Sequence, residues 1–211
     1  MAAELISIHP VDPQPNKIRE VAKVLAKGGL IIYPTDTVYG IGCNIFDARA
    51  VEAIARLKGV KPEKNNFSFI CHDHSQVAEY TKQIDTRTFK IMKKALPGPF
   101  TFILPASNSV PKLLNMKKKT VGIRIPDHKV PLMLVRELGS PLLTTSVHND
   151  EDRMVEYETD PSEIYDKFKN LVDVVIDSGF GSNKPSTVVD LSDPNDYTVL
   201  REGQGDFDLY V

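Results

Sequence analysis

Gly28-Gly29-Leu30-Ile31-Ile32-Tyr33-Pro34-Thr35-Asp36-Thr37-Val38-Tyr39-Gly40-Ile41-Gly42 joins a strand pattern to a polar turn, and its reading governs the rest of the chain. Residues 30–33 are an apolar β-run, and Pro34, which has no N–H to give a sheet ladder, ends it. The hydroxyls of Thr35, Thr37 and Tyr39 and the carboxylate of Asp36 follow at once. Gly40 and Gly42 permit close backbone approach to a ligand or a positive φ. Locally the segment reads either as a Thr-rich turn with an Asp cap or as a small-ligand pocket floored by hydroxyls.

The chain has 211 residues, 41% hydrophobic and 26% charged, a balance that supports one α/β domain over residues 1–211 with a sizeable core. A net charge of −2 gives no global footprint for nucleic acid, so any such contact needs a local basic face. Cys43 and Cys71 match no metal or redox spacing and read as buried free thiols of a reducing compartment. No apolar run approaches the ~20 residues of a membrane span. The start, Met1-Ala2-Ala3-Glu4, lacks the basic and apolar regions of a signal peptide, so a cytoplasmic location is expected.

Outward from the opening segment, a strand is expected over 4–8. A helix follows, capped by Asn16 and burying Ile18, Val21, Ala22 and Leu25, until Gly28-Gly29 stops it. Asp47 caps a second helix with Val51, Ile54 and Ala55 inward. Residues 67–71 read as a buried strand and 86–96 as a helix with Phe89, Met92 and Leu96 on one side. Strands at 100–104 and 120–125, a helix near 130–138 and a strand at 142–146 come next. The acidic stretch 148–160 reads as a loop, and Pro161 opens a short helix. Strands at 172–177, 187–191 and 198–201 complete the chain. Helices and strands alternate only in part, which argues for a twisted mixed β-sheet with helices packed around it.

Several polar residues stand out against this frame. Lys58, Lys61 and Lys64 form either a solvated loop or a polyphosphate contact. Arg124 interrupts an apolar alternating strand and needs a partner there, either a structural carboxylate or a ligand anion. His72 reads as a surface or capping histidine. His72 and His74 would share a face if their strand continued, but Asp73 and Ser75 indicate a turn and no third metal ligand is evident. There is no Walker A motif, G-x-G-x-x-G, G-x-S-x-G or H-E-x-x-H.

The run Pro34-Thr35-Asp36-Thr37-Val38-Tyr39-Gly40 resembles the signature of the YrdC-like family, the threonylcarbamoyl-adenylate synthases of tRNA modification. Gly122-Ile123-Arg124-Ile125-Pro126, Ser186-Thr187-Val188-Val189-Asp190 and Arg201-Glu202-Gly203 match further family elements in order, and the resemblance spans about residues 6–203. Lys58 matches the lysine of a Lys-x-Arg element whose arginine position holds Val60, with Lys61 as a nearby point charge. Ser146 matches a Ser-x-Asn element whose asparagine position holds His148. These departures, with Asn66-Phe67-Ser68-Phe69, look most like the YciO branch.

The resemblance implies a twisted mixed sheet around a concave, positively lined cavity. It also implies condensation of L-threonine, bicarbonate and ATP into threonylcarbamoyl-adenylate, with Mg²⁺ riding on the phosphates. Thr35, Thr37, His72, Arg124 and Ser186 are implied to hold the amino acid. Lys58, Lys61, Ser146, His148 and Arg201 are implied to hold the nucleotide. A competing reading is a non-catalytic protein that binds nucleotide or double-stranded RNA, using Lys90, Lys93, Lys94 and Lys117-Lys118-Lys119 as a basic lip.

Overall fold

The computed structural model describes residues 2–60, 67–114, 119–147 and 157–211, the side chain of Leu113 excepted. In chain order its elements are β1 (Glu4–Ser7), α1 (Pro15–Ala26), β2 (Ile31–Tyr33), β3 (Gly40–Asn44), α2 (Ala48–Leu57), β4 (Ser68–Ile70), α3 (His74–Tyr80) and α4 (Thr86–Ala95). Then follow β5 (Phe100–Pro105), β6 (Thr120–Arg124), α5 (Lys129–Leu138), β7 (Leu142–Ser146), α6 (Pro161–Phe168), β8 (Val174–Asp177), β9 (Thr187–Asp193) and β10 (Asp196–Arg201). One ten-stranded sheet runs β1-β8-β2-β3-β7-β4-β6-β5-β9-β10. Four pairs are parallel (β1/β8, β2/β8, β4/β6, β5/β9) and the others antiparallel, so the sheet is mixed as expected.

Strand periodicity of two sorts the side chains between the two faces. One face carries Ile32, Ile41, Cys43, Phe69, Phe102, Ile123, Leu143 and Val189, buried beneath the apolar stripes of α2, α3, α4 and α6. The other carries Ile31, Tyr33, Ile70, Leu142, Val174 and Ile176, covered by α1 and α5. Both cysteines are buried and free. Helix α1 shows which force decides. Its Ile18, Val21, Ala22 and Leu25 are buried, while no side chain caps its start. A cap is worth ~1 kcal/mol, and each buried branched side chain ~1.5–3 kcal/mol, so burial of the stripe wins.

Four local expectations are corrected. Pro15 occupies the first turn of α1 and Gln14 precedes it, so Asn16 lies inside the helix and caps nothing. Asp73 accepts from the Gln76 N–H and starts α3, so the turn expected at residues 72–75 is a helix N-terminus. Phe89 is 43% exposed, edge-on to the His74 ring, while Thr88, Ile91, Met92 and Ala95 face the core. Gly40 and Gly42 lack positive φ and lie in β3 opposite Tyr33 and Ile31. A Cβ on Gly42 would stand 2.8 Å from the Tyr33 ring and 3.0 Å from the Leu143 carbonyl oxygen. The glycines are therefore the space that the buried Tyr33 ring fills.

Gly42→Ala tests that account. Alanine gains about 0.5–1 kcal/mol by restricting the unfolded chain, but overpacking against a rigid ring and a backbone carbonyl costs about 1–3 kcal/mol. A net loss of stability is expected in urea titration; an unchanged or higher midpoint would show that Tyr33 yields freely.

Candidate functional site: a hydroxyl-floored cavity between two arginines

The face that α1 and α5 cover turns polar further along the same strands. In β7, Leu142 lies under the helices, while Thr144 and Ser146 continue its side of the strand beyond them. In β4, Ile70 is apolar and Ser68 polar; in β6, Thr120, Gly122 and Arg124 share this face. Thr144 stands opposite Ser68, Ser68 opposite Gly122, and Ser146 opposite Gly40. The result is a cavity of about 320 Å³ with a floor of hydroxyls and bare glycine backbone. A Cβ on Gly122 would come within 2.6 Å of Ser68 Oγ. The walls include Thr35, Tyr39, Thr101, Arg124, Ser186 and Arg201.

Arg124 is 7% exposed. Its Nη2 donates to Thr35 Oγ1 (3.1 Å), Asp36 Oδ1 (2.5 Å) and Thr37 Oγ1 (2.7 Å). The Pro34-to-Thr37 turn thus supplies one carboxylate and two hydroxyls to a single nitrogen. Nε of Arg124 and Oδ2 of Asp36 are buried and have no partner among the described residues, so the pair does not form the two parallel bonds of a full fork. On the opposite wall Arg201 donates through Nη2 to Ser186 O (2.8 Å) and Ser186 Oγ (3.2 Å), and through Nε to Ser186 O (3.2 Å). Ser186 Oγ also meets Thr101 Oγ1 at 2.9 Å. Burial holds the Arg201 guanidinium below its usual range; Tyr157 opposes this, and the nearby charge of Arg124 adds a smaller lowering. Two cations that face one cavity create a positive potential suited to an anion.

Thr35, Arg124, Ser146, Ser186 and Arg201 come from five separate chain segments and meet in this lining. Thr37 is fully buried behind Arg124 and does not line the cavity, although 87 positions separate the two. His72 also lies off the cavity; its ring contacts Gln76 and Asp73 beside the start of α3. Lys58 is the buried C-cap of α2, likewise outside the lining, and Val60 packs at the edge of the core. Lys61 and His148 fall outside the described residues, as do Lys117 and Lys118, and most of the loop expected over 148–160. Lys90, Lys93 and Lys94 are exposed on α4. Among the described residues no three His, Cys, Asp or Glu side chains group to hold a metal, and no helix is long and apolar enough to cross a membrane.

Ser68, Thr101 and Thr144 were not named as site residues from the sequence, and Asp36 was read there only as part of the polar turn. The signal was present for Ser68 and Thr144, which hold every-second positions of strands whose other ends are apolar. Reading it requires knowing where the covering helices stop.

A family model described as "Telomere recombination" (Sua5_yciO_yrdC) matches residues 23–203. The uncharacterized protein YciO of Escherichia coli K12 is 39% identical over 205 residues, 97% of each chain. A threonylcarbamoyl-AMP synthase of Halorhodospira halophila is 32% identical over 139 residues, 66% of this chain and 72% of the relative. The crystal structure of E. coli YciO has a TM-score of 0.91 at 38% identity, covering 99% of this chain and 100% of that one. The crystal structure of P. abyssi Sua5 complexed with L-threonine has a TM-score of 0.84 at 29% identity, covering 94% of this chain and 57% of that one.

Two stability experiments probe the arginine wall. Asp36→Ala leaves a buried guanidinium without its carboxylate and is expected to cost about 3 kcal/mol. Adding Arg124→Met should cost less than the sum of the single changes, by more than ~1 kcal/mol; strict additivity in urea titrations would refute the coupling. His128 starts α5, with Nδ1 accepting from the Val130 N–H at 3.3 Å. Burial lowers its pKa, and Asp36 and Asp127 only partly oppose this. A depressed histidine pKa means that its contribution is complete above the unfolded value of about 6.5 and is lost as pH falls through the folded value. His128→Asn should therefore flatten the loss of stability below about pH 6.5; an unchanged slope would assign that acid limb to other groups.

Proposed function

Because the chain belongs to the Sua5/YciO/YrdC family, we propose that it condenses L-threonine, bicarbonate and ATP to threonylcarbamoyl-AMP, pyrophosphate and water. The convergence of Arg124 and Arg201 on one hydroxyl-floored cavity carries this reading. L-Threonine in the solved P. abyssi Sua5 complex and the 32% identity to a threonylcarbamoyl-AMP synthase support it.

In this reading the threonine amine takes up the carbon of bicarbonate with loss of water. The resulting carbamate oxygen displaces pyrophosphate at the α-phosphorus of ATP. Arg124, held in place by Asp36 and two hydroxyls, receives the amino-acid carboxylate beside Thr35 and Ser186. Arg201 and Ser146 face the phosphates, where charge grows on the departing pyrophosphate. Positioning and fixed charge supply most of the rate gain in such a transfer. Mg²⁺ enters as part of the nucleotide substrate.

Incubation with ATP, L-threonine and bicarbonate should release pyrophosphate and give the adenylate by mass spectrometry. Arg201→Ala should weaken ATP binding by about 1–3 kcal/mol, the scale of bonds to a charged group. Arg124→Ala should abolish L-threonine protection against thermal unfolding while leaving ATP protection largely intact. ATP binding without pyrophosphate release would identify a nucleotide-binding protein with no synthase activity, as Val60 and His148 at the departing positions would explain. No heat with ATP in calorimetry would end the proposal.

A further inference from the structure

The floor of the cavity holds a hydroxyl whose hydrogen is already directed. Tyr33 is fully buried, and its OH donates to Thr144 Oγ1 at 2.5 Å. A threonine hydroxyl has one hydrogen and two lone pairs. With a lone pair of Oγ1 taken by Tyr33, and no acceptor for the Thr144 hydroxyl among the described residues, its hydrogen turns away from Tyr33. Thr144 is 9% exposed, and what exposure it has opens on the cavity it lines. Gly40, another lining residue, leaves Oγ1 uncovered: a Cβ there would come within 3.1 Å of Oγ1 and 3.3 Å of the Tyr33 hydroxyl.

We propose that Thr144 is a ligand-binding donor on the cavity floor, that Tyr33 is the residue positioning it, and that the pair selects an acceptor-only oxygen of an anionic ligand, a carboxylate or a phosphoryl group. The inference rests on the reading of this cavity as the substrate site and deepens it. The Tyr33 ring is wedged against Gly40 and Gly42, which holds its hydroxyl oxygen beside Thr144 Oγ1. A ligand hydroxyl takes the Thr144 hydrogen only by turning its own hydrogen elsewhere, whereas an oxyanion accepts it without reorientation. The donor also stands beside Ser68 and two positions from Ser146, so an oxyanion there meets several hydroxyls at once while Arg124 and Arg201 supply the charge from the walls.

The test is calorimetric titration of the full chain with ATP, L-threonine and inorganic pyrophosphate separately. The variants are Thr144→Ser, Thr144→Val and the pair Tyr33→Phe with Thr144→Val. The double variant removes both hydrogen-bonding partners and so leaves no buried hydroxyl orphaned, which keeps the test open if Thr144→Val alone unfolds. Loss of the donor should weaken the affected ligand about tenfold or more, while Thr144→Ser restores it. An effect on L-threonine alone places a carboxylate over Thr144; an effect on ATP and pyrophosphate places a phosphoryl group there. If the wild type binds ATP or L-threonine and the Val variants bind them equally well, the Thr144 assignment falls and the proposed function stands. If only pyrophosphate binds, and the Val variants lose it, the donor stands and the threonine–ATP reading falls. Binding of none of the three would overturn both.

Discussion

Arg124 is a permanent cation almost wholly withdrawn from water, and the turn after β2 exists in its observed form to receive it. Asp36 supplies the countercharge, and Thr35 and Thr37 supply neutral acceptors to the same nitrogen. A buried guanidinium without such partners would cost several kcal/mol. The pair is nonetheless incomplete: Nε and Oδ2 have no partner among the described residues, and Asp36 holds Arg124 through one nitrogen. Such a pair adds little net stability over an apolar substitute. What it provides is a fixed cation on a cavity wall, which a ligand meets without first ordering a long side chain.

The sheet makes room for that wall by an abrupt change along its strands. Both faces are apolar where helices cover them, and on one face the helices end before the strands do. Beyond α1 and α5 the inward positions become Ser, Thr and Gly. Bulky residues there would fill the space that the cavity occupies, as Tyr33 fills the space left by Gly40 and Gly42. The interior thus uses glycine in two opposite ways: in β3 to seat a ring, and at Gly122 to keep the floor low.

Chemically, the cavity joins cations from two distant segments to a set of hydroxyls. It has no glycine cradle for phosphates and, among the described residues, no metal-ligating cluster. Recognition by scattered Arg, Ser and Thr side chains suits a ligand with anionic groups at both ends. The same walls leave the Arg201 guanidinium partly desolvated and close to a like charge, so an anion between the arginines relieves repulsion as well as forming new bonds.

Much of this was legible in the chain itself. Residues with strong periodicity declared the buried stripes of α1 and α2, the mixed order of strands and helices, and strand β7 to the residue, because local propensity and face burial agree there. The run from Pro34 to Gly40 and the lone arginine at 124 marked a site, since polar residues in apolar strands need a reason. Tertiary structure alone decided which candidates meet. It placed Thr37 behind Arg124, set His72 and Lys58 off the cavity, and recruited Thr144 through Tyr33. The physical reason is that periodicity tells which face a side chain takes, whereas the place along the strand where covering helices stop depends on how separate segments pack.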